Sequence, residues 1–145
     1  MKKEEIIIDF ATDQSMDFLK ANDRHIPPEL LIEKVQRKEI ILAKNAGKII
    51  GWLRFGYFWD QYPFMNMLMI LEEYRRKGIG KLLVSFWENE MVQKGFDAVF
   101  TSTLANEEGQ HFYRKLGYVD SGCLLLETEP ALEIIMRKRL QSPVN

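Results

Sequence analysis

The spacing of apolar and polar residues changes period several times along the chain, and each change marks an expected element. Ile6 to Phe10 reads as a short strand, and Gln14 to Ala21 has helical spacing, with Met16, Leu19 and Lys20 on neighbouring turns. Pro27 and Pro28 stand where a helix can open, because proline fits a first turn, and Leu30, Leu31, Lys34, Val35 and Lys38 continue it. Glu39–Lys44 and Lys48–Trp59 read as a hairpin around Asn45-Ala46-Gly47. Gln61 to Pro63 is expected to break the second strand, and Phe64–Leu71 forms the next one. After Tyr74 the period lengthens. Ile79, Leu82, Leu83, Phe86, Met91 and Val92 make an apolar stripe, and Gly95 ends that helix. A strand at Ala98–Thr103, a helix at Glu107–Leu116 closed by Gly117, and strands at Tyr118–Leu125 and Leu132–Lys138 complete the chain.

The expected order is β-α-α-β-β-β-α-β-α-β-β. The hairpin demands antiparallel neighbours, and the later strand–helix–strand unit demands a parallel pair. The fold class is therefore α/β in the α+β sense: a mixed sheet with helices on its faces. The chain has 145 residues, no internal repeat and no Pro/Gly/Ser-rich linker, so one domain over 1–145 is expected.

Composition narrows the function classes. At 46% hydrophobic and 28% charged residues, the chain is neither disordered nor fibrous. A net charge of −1 lacks the basic excess of a nucleic-acid binder. The single cysteine, Cys123, cannot form an internal disulfide, no Cys/His set has zinc spacing, and the residue is expected as a small buried hydrophobe. No segment approaches the ~18 apolar residues that span a bilayer. The start, MKKEEIIIDF, is no convincing signal peptide, so no membrane partner and a cytoplasmic location are expected.

The most informative segment is Arg75-Arg76-Lys77-Gly78-Ile79-Gly80-Lys81, between a strand and a strong helix. A helix start presents N–H groups that the helix cannot satisfy, and its dipole adds partial positive charge. Gly78 and Gly80 let a ligand approach the backbone, and Arg75, Arg76, Lys77 and Lys81 add cations. A phosphate or diphosphate suits such a turn. A Walker loop would need Ser or Thr after Lys81, where Leu82 stands, and a dinucleotide fingerprint would need a third glycine, which the segment lacks. A solvated basic helix start is the bland alternative.

Arg75, Gly78 and Gly80 form an Arg-x-x-Gly-x-Gly motif within Glu73-Tyr74-Arg75-Arg76-Lys77-Gly78-Ile79-Gly80-Lys81-Leu82-Leu83. Asn106 and Phe112-Tyr113-Arg114-Lys115-Leu116-Gly117-Tyr118 add a second landmark. With both phrases at this separation, and with this element order, the chain resembles the GCN5-related N-acetyltransferase (GNAT) family over nearly its whole length. The resemblance implies a GNAT-like acyl-CoA N-acyltransferase fold, acetyl-CoA as cosubstrate and no metal. It implies that the diphosphate of coenzyme A rests on the backbone of Arg76–Lys81. It also implies that the pantetheine arm adds like a strand near Met69, Ile70 and Leu71, and that an N–H there faces the thioester oxygen.

The implied reaction is transfer of acetyl to a primary amine by direct attack in a ternary complex. Tyr113 falls where the family places a tyrosine that returns a proton to the departing thiolate; a half-buried structural tyrosine is the other reading. Asn106 would hold the pantetheine arm or cap the following helix. Family members often carry a glutamate on the strand before the glycine turn, but the matching inward position here is Asn66, which cannot act as a base and could instead hold a water. Asp60 is a weak base candidate at the rim of an aromatic stretch; Glu72, Glu73 and His25 are weaker.

The stretch from Phe55 to Phe64 is unusually aromatic. Its rings with Asp60 could receive a cationic amine, or they could cover the core or a dimer contact. Thr101-Ser102-Thr103, at the end of a parallel strand, could offer polar groups to a ligand. The acceptor stays open between small-molecule and peptide amines, and a homodimer is among the open states. Two rival readings remain: a module of the same fold that binds acyl-CoA without chemistry, and a nucleotide-binding protein using the same turn.

Overall fold

The computed structural model describes residues 5–126 and 131–141. Strands form at Ile6–Phe10 (β1), Ile40–Asn45 (β2), Lys48–Phe58 (β3), Tyr62–Ile70 (β4), Ala98–Leu104 (β5), Val119–Leu124 (β6) and Glu133–Arg139 (β7). Helices form at Met16–Asn22 (α1), Pro28–Gln36 (α2), Ile79–Gln93 (α3) and Gly109–Lys115 (α4). The hydrogen-bonded strand order is β1-β2-β3-β4-β5-β7-β6. β4 and β5 run parallel, with Phe64 opposite Phe100 and Met65 opposite Thr101. The β1–β2, β2–β3, β5–β7 and β6–β7 pairs are antiparallel, so the sheet is mixed as expected. Among the described residues no helix is long and apolar enough to cross a membrane.

Two boundaries differ from the sequence expectation. The break at Gln61–Pro63 is instead a tight turn: Trp59 and Asp60 take φ of 56° and 61°, Gln61 N donates to Phe58 O at 3.1 Å, and β4 already begins at Tyr62. Pro63 is tolerated because it lies at the strand's start. The last helix begins at Gly109, not Glu107. The Gln110 side-chain amide donates to Ala105 O at 2.7 Å and Glu107 O at 3.0 Å, which holds those residues in a turn.

The chain divides into two compact units, Met1–Phe55 with Met67–Trp87, and Gly56–Asn66 with Glu88–Asn145. In the first, Leu19, Leu31, Val35, Ile40, Leu42 and Trp52 are buried together, with Met67, Met69 and Leu71 packed against them. Leu31 and Val35 are four apart, so α2 turns one stripe inward. Asp23, which follows α1, is bound to β3 by a buried ion pair. Its carboxylate accepts from Arg54 Nε at 2.8 Å, Arg54 Nη2 at 3.2 Å and Trp52 Nε1 at 3.3 Å. The two side chains are 0% and 8% exposed. Lys34 on α2 donates to Glu39 at 2.9 Å and to Phe55 O at 2.7 Å. Gly51 in β3 is where β4 comes closest: a Cβ there would lie 2.7 Å from Ile70 Cδ1 and 3.0 Å from Met69 O.

In the second unit β5 alternates. Val99, Thr101 and Thr103 are buried, whereas Phe100 and Ser102 are only partly so. α4 lies on the buried side, where a Cβ on Gly109 would stand 3.0 Å from Thr103 Oγ1. Glu88 accepts from the Tyr118 hydroxyl and from Lys138 Nζ, both at 2.8 Å. β6 is exposed along its whole length, and its pairing with β7 shifts between Asp120 and Cys123, where Gly122 has φ 124°. Cys123 is therefore exposed rather than buried, because an edge strand offers no layer to cover it.

Two substitutions test this packing. Asp23→Ala leaves the Arg54 guanidinium buried without its carboxylate and is expected to cost about 3–5 kcal/mol, read as a lowered denaturation midpoint. Gly51→Ala is expected to cost about 1–3 kcal/mol, since the side chain of Ile70 can yield but the Met69 carbonyl cannot without moving β4.

Candidate active site

The glycine turn is built by the end of β4 and the start of α3. A short helical turn at Glu72–Tyr74 leads out of β4, with Tyr74 N on Leu71 O at 2.9 Å. Arg76 then takes φ 62° and Gly78 φ 83°. The left-handed region costs a residue with Cβ about 1–2 kcal/mol, so Arg76 is held there by its surroundings. Leu82 N donates to Gly78 O at 3.2 Å, closing the first helical turn. The amides of Ile79, Gly80 and Lys81 precede that bond and have no helical carbonyl to reach.

The cations around the turn divide in two. Arg75 folds back: its Nε donates to Ile70 O at 2.9 Å and its Nη2 lies 3.6 Å from Met69 Sδ. Its charge clasps the strand end rather than projecting outward. Arg76, Lys77 and Lys81 are exposed. Lys77 and Lys48 stand 5.7 Å and 5.4 Å from the Tyr74 ring centroid, and Lys48 also meets Glu73 at 3.8 Å. This turn can hold a polyanion with backbone amides and three mobile cations. Arg75 brings Met69 and Ile70 to the turn, and Leu71 N is tied to Ile50 O at 2.9 Å. Gly51, beneath Met69 and Ile70, was not among the expected site residues; a glycine inside a strand pattern was its sequence signal.

Tyr113 lies in the second unit on α4, one turn before Gly117, whose φ is 96°. Burial pushes its phenol up to about 12, and a hydrogen bond with Thr101 offsets part of that rise. The Thr101 hydroxyl donates to Met65 O at 3.1 Å, so it links the parallel pair to the tyrosine. Tyr118, whose ring centroid is 5.7 Å from that of Tyr113, is pushed up further by burial, by the Glu88 charge and hydrogen bond, and by Tyr113. The Glu88–Tyr118–Lys138 cluster was not legible as a site, since Glu88 read only as part of the polar face of α3.

Asn66 is exposed on β4. Asn106 is exposed in the turn before α4 and does not cap that helix, whose N-cap is Glu108. Asp60, Glu72, Glu73 and His25 are all exposed as well. Among the described residues no cluster of His, Cys, Asp and Glu could hold a metal.

The aromatic stretch is divided. Phe55 is fully buried, but Phe58, Trp59 and Tyr62 are 46%, 73% and 42% exposed. Phe58, Trp59, Tyr62, Phe64 and Phe100 line a cavity of about 440 Å³, together with residues of β6 and β7. Trp59 and Asp60 both have positive φ, a pairing that normally selects Asn-Gly. The hairpin thus holds a bulky ring at a strained position, outside the core.

The sequence pattern described as the Acetyltransferase (GNAT) family matches residues 7–118. An uncharacterized N-acetyltransferase of Chlorobaculum tepidum is 31% identical over 90 residues, which cover 62% of this chain and 54% of that protein, so the chain spans about half of its relative's length. The fold matches Ard1 from Thermoplasma volcanium with a TM-score of 0.82 at 14% identity, over 95% of this chain and 99% of that one. It also matches Arabidopsis thaliana Naa50, solved with the bisubstrate analogue CoA-Ac-MVNAL, with a TM-score of 0.74 at 19% identity, over 92% of this chain and 98% of that one. A strand and helix joined by the Arg75-Gly78-Gly80 turn, inside a family match covering most of the chain, identify this protein as a member of the GNAT acetyltransferase family.

Proposed function

We propose that this protein transfers an acetyl group from acetyl-CoA to a primary amine, by direct attack of the amine on the thioester in a ternary complex. The observation that carries this reading is the turn at Arg76–Lys81, where free helix-start amides, two left-handed residues and exposed cations suit a diphosphate. Naa50, solved with a CoA bisubstrate analogue, supports the same cosubstrate here. Arg76, Lys77 and Lys81 neutralise the diphosphate while the amides of Ile79, Gly80 and Lys81 bond it. Arg75 acts one step behind, by fixing the end of β4. Met69, Ile70 and Leu71 offer backbone groups to the pantetheine arm, with an N–H for the developing oxyanion. Asn106 is a further polar contact for the arm.

Tyr113 serves the leaving sulfur. A phenol near about 12 stays protonated throughout the neutral range. Full proton transfer to a thiolate, whose thiol titrates near ~8.5, would run uphill by about 5 kcal/mol. Tyr113 therefore acts first as a hydrogen-bond donor to the developing thiolate, and Thr101 orients it. No carboxylate stands where the family often has its base. Asn66 holds a water that passes the amine's proton to solvent, so the acceptor must reach the site mostly deprotonated.

Three outcomes test this reading. Gly78→Val forces a β-branched residue to φ 83° and is expected to weaken acetyl-CoA binding at least about tenfold by titration calorimetry, since both the strain and the lost approach act at the turn. Unchanged affinity would refute the assignment of the turn. Tyr113→Phe is expected to lower kcat by about 10²-fold or more with little change in acetyl-CoA affinity. The same variant separates chemistry from stability. Because folding raises the phenol from 10.0 to about 12, its stabilising contribution is complete below pH 10 and is lost as pH climbs toward 12. Alkaline unfolding should therefore be less steep in Tyr113→Phe. Finally, kcat/KM is expected to rise about tenfold per pH unit up to the acceptor's own pKa, and that break should move when acceptors of different pKa are compared. A break that ignores the acceptor would point to an enzyme base. Acetyl-CoA binding with no turnover on any amine would favour a binding module.

A further inference from the structure

A cavity lies beside the β3–β4 turn, lined by residues of the second unit. Its floor is Phe64 of β4 and Phe100 of β5, which face each other in the parallel register, with Ile135 of β7 beside them. Phe58, Trp59 and Tyr62 form one wall and Leu124 of β6 stands opposite. Among the described residues, none of the lining side chains is charged. Its volume of about 440 Å³ lies in the range of small-molecule sites. The rings are fixed against one another: Phe58 and Trp59 have centroids 4.7 Å apart, and Tyr62 and Phe100 5.8 Å. Along the strands, Asn66 comes two residues after Phe64, and Ser102 two residues after Phe100. Ser102 pairs with Ile135. On β4 the apolar floor thus lies two residues from Asn66, the position to which the acceptor's proton was assigned above.

We propose that this cavity selects the acceptor, by taking an uncharged aromatic or branched aliphatic group carried on the same molecule as the amine. The inference rests on the acetyl-transfer reading for its chemistry, but the cavity's preference for apolar groups is independent of it. A lining whose described residues carry no carboxylate disfavours polyamines and aminoglycoside-like acceptors, whose extra charges would be desolvated without partners. A second copy of the chain is a poorer occupant. β6 is bulged at Asp120–Cys123, and its Asp120 is engaged by Arg114 at 3.1 Å, so this edge is blunted against strand pairing.

Trp59 supplies a local reporter. Trp52 and Trp87 are 2% and 0% exposed, so a solvent-sensitive change in tryptophan emission arises at Trp59. The test uses the full chain with 2-phenylethanol as a neutral probe, and 2-phenylethylamine, isopentylamine, ethylamine and putrescine as acceptors with acetyl-CoA. The expected result is a saturable change in Trp59 emission with 2-phenylethanol, absent in Trp59→Phe. The two bulky monoamines should show kcat/KM at least about tenfold above ethylamine and putrescine. Leu124→Arg, on the exposed edge strand, should reduce that ratio toward one and weaken the probe. Equal turnover of all four amines with no emission response overturns the proposal and leaves acetyl transfer standing. An emission response with no turnover of any amine overturns the acetyl-transfer reading and the acceptor role with it, leaving an apolar ligand site. Concentration-dependent shielding of Trp59 with dimer formation in sedimentation overturns it in favour of a second copy.

Discussion

Backbone N–H groups at the start of a helix need acceptors from outside it, and here the residue just before α3 is Gly78. Gly78 has no side chain with which to cap the helix. Water or an anion must satisfy the amides of Ile79, Gly80 and Lys81. The chain around them reinforces that demand. Arg76 is held in a conformation that a residue with Cβ avoids, and Arg75 spends its guanidinium on the Ile70 carbonyl instead of on the amide cluster's future ligand. A turn built only for stability would relax the first and free the second. The arrangement instead stores strain and leaves donors open, as anion sites do.

That turn is only as well placed as the strand that leads into it. In the first unit β4 approaches β3 so closely that Gly51 has room for no Cβ, and Leu71 N is tied to Ile50 O. β3 is in turn pinned by Arg54 and Trp52 to the buried Asp23 at the end of α1. A buried ion pair is a poor source of net stability compared with apolar packing, but it is strongly directional. Its presence beneath the strand that backs β4 fits a need for fixed geometry more than for added stability.

What could be read from the residues depended on how local the signal was. The order of strands and helices, the parallel pair and the glycine turn follow from periodicity and from short-range backbone rules, and all are found. Positions that depend on a neighbour distant in sequence were not legible. Gly51 inside a strand pattern signals a close approach but not that β4 makes it, and Glu88 looks like one more polar residue on α3 until Tyr118 and Lys138 arrive. Cys123 shows the opposite error: its type suggests burial, but an edge strand has no covering layer. Asn106 lost its capping role for a reason also invisible in the sequence, because Gln110 reaches back and holds the residues before α4 in a turn.

The missing carboxylate and the uncharged cavity bear on each other. An amine attacks a thioester only when neutral, and a strand glutamate would normally take its proton. With asparagine at that position, the proposed reaction has another way to raise the neutral fraction, which is to make the charged form uncomfortable. Apolar surroundings disfavour an ammonium and lower its pKa, by several units when burial is complete. In the proposed acceptor cavity, a lining of Phe58, Phe64, Phe100 and Leu124 would do this with no charged side chain among the described residues, provided the acceptor itself carries the group that fills the space. Selection for an apolar acceptor and deprotonation of its amine then become one physical effect. A hydrophilic amine loses twice, since it neither fills the cavity nor sheds its proton there.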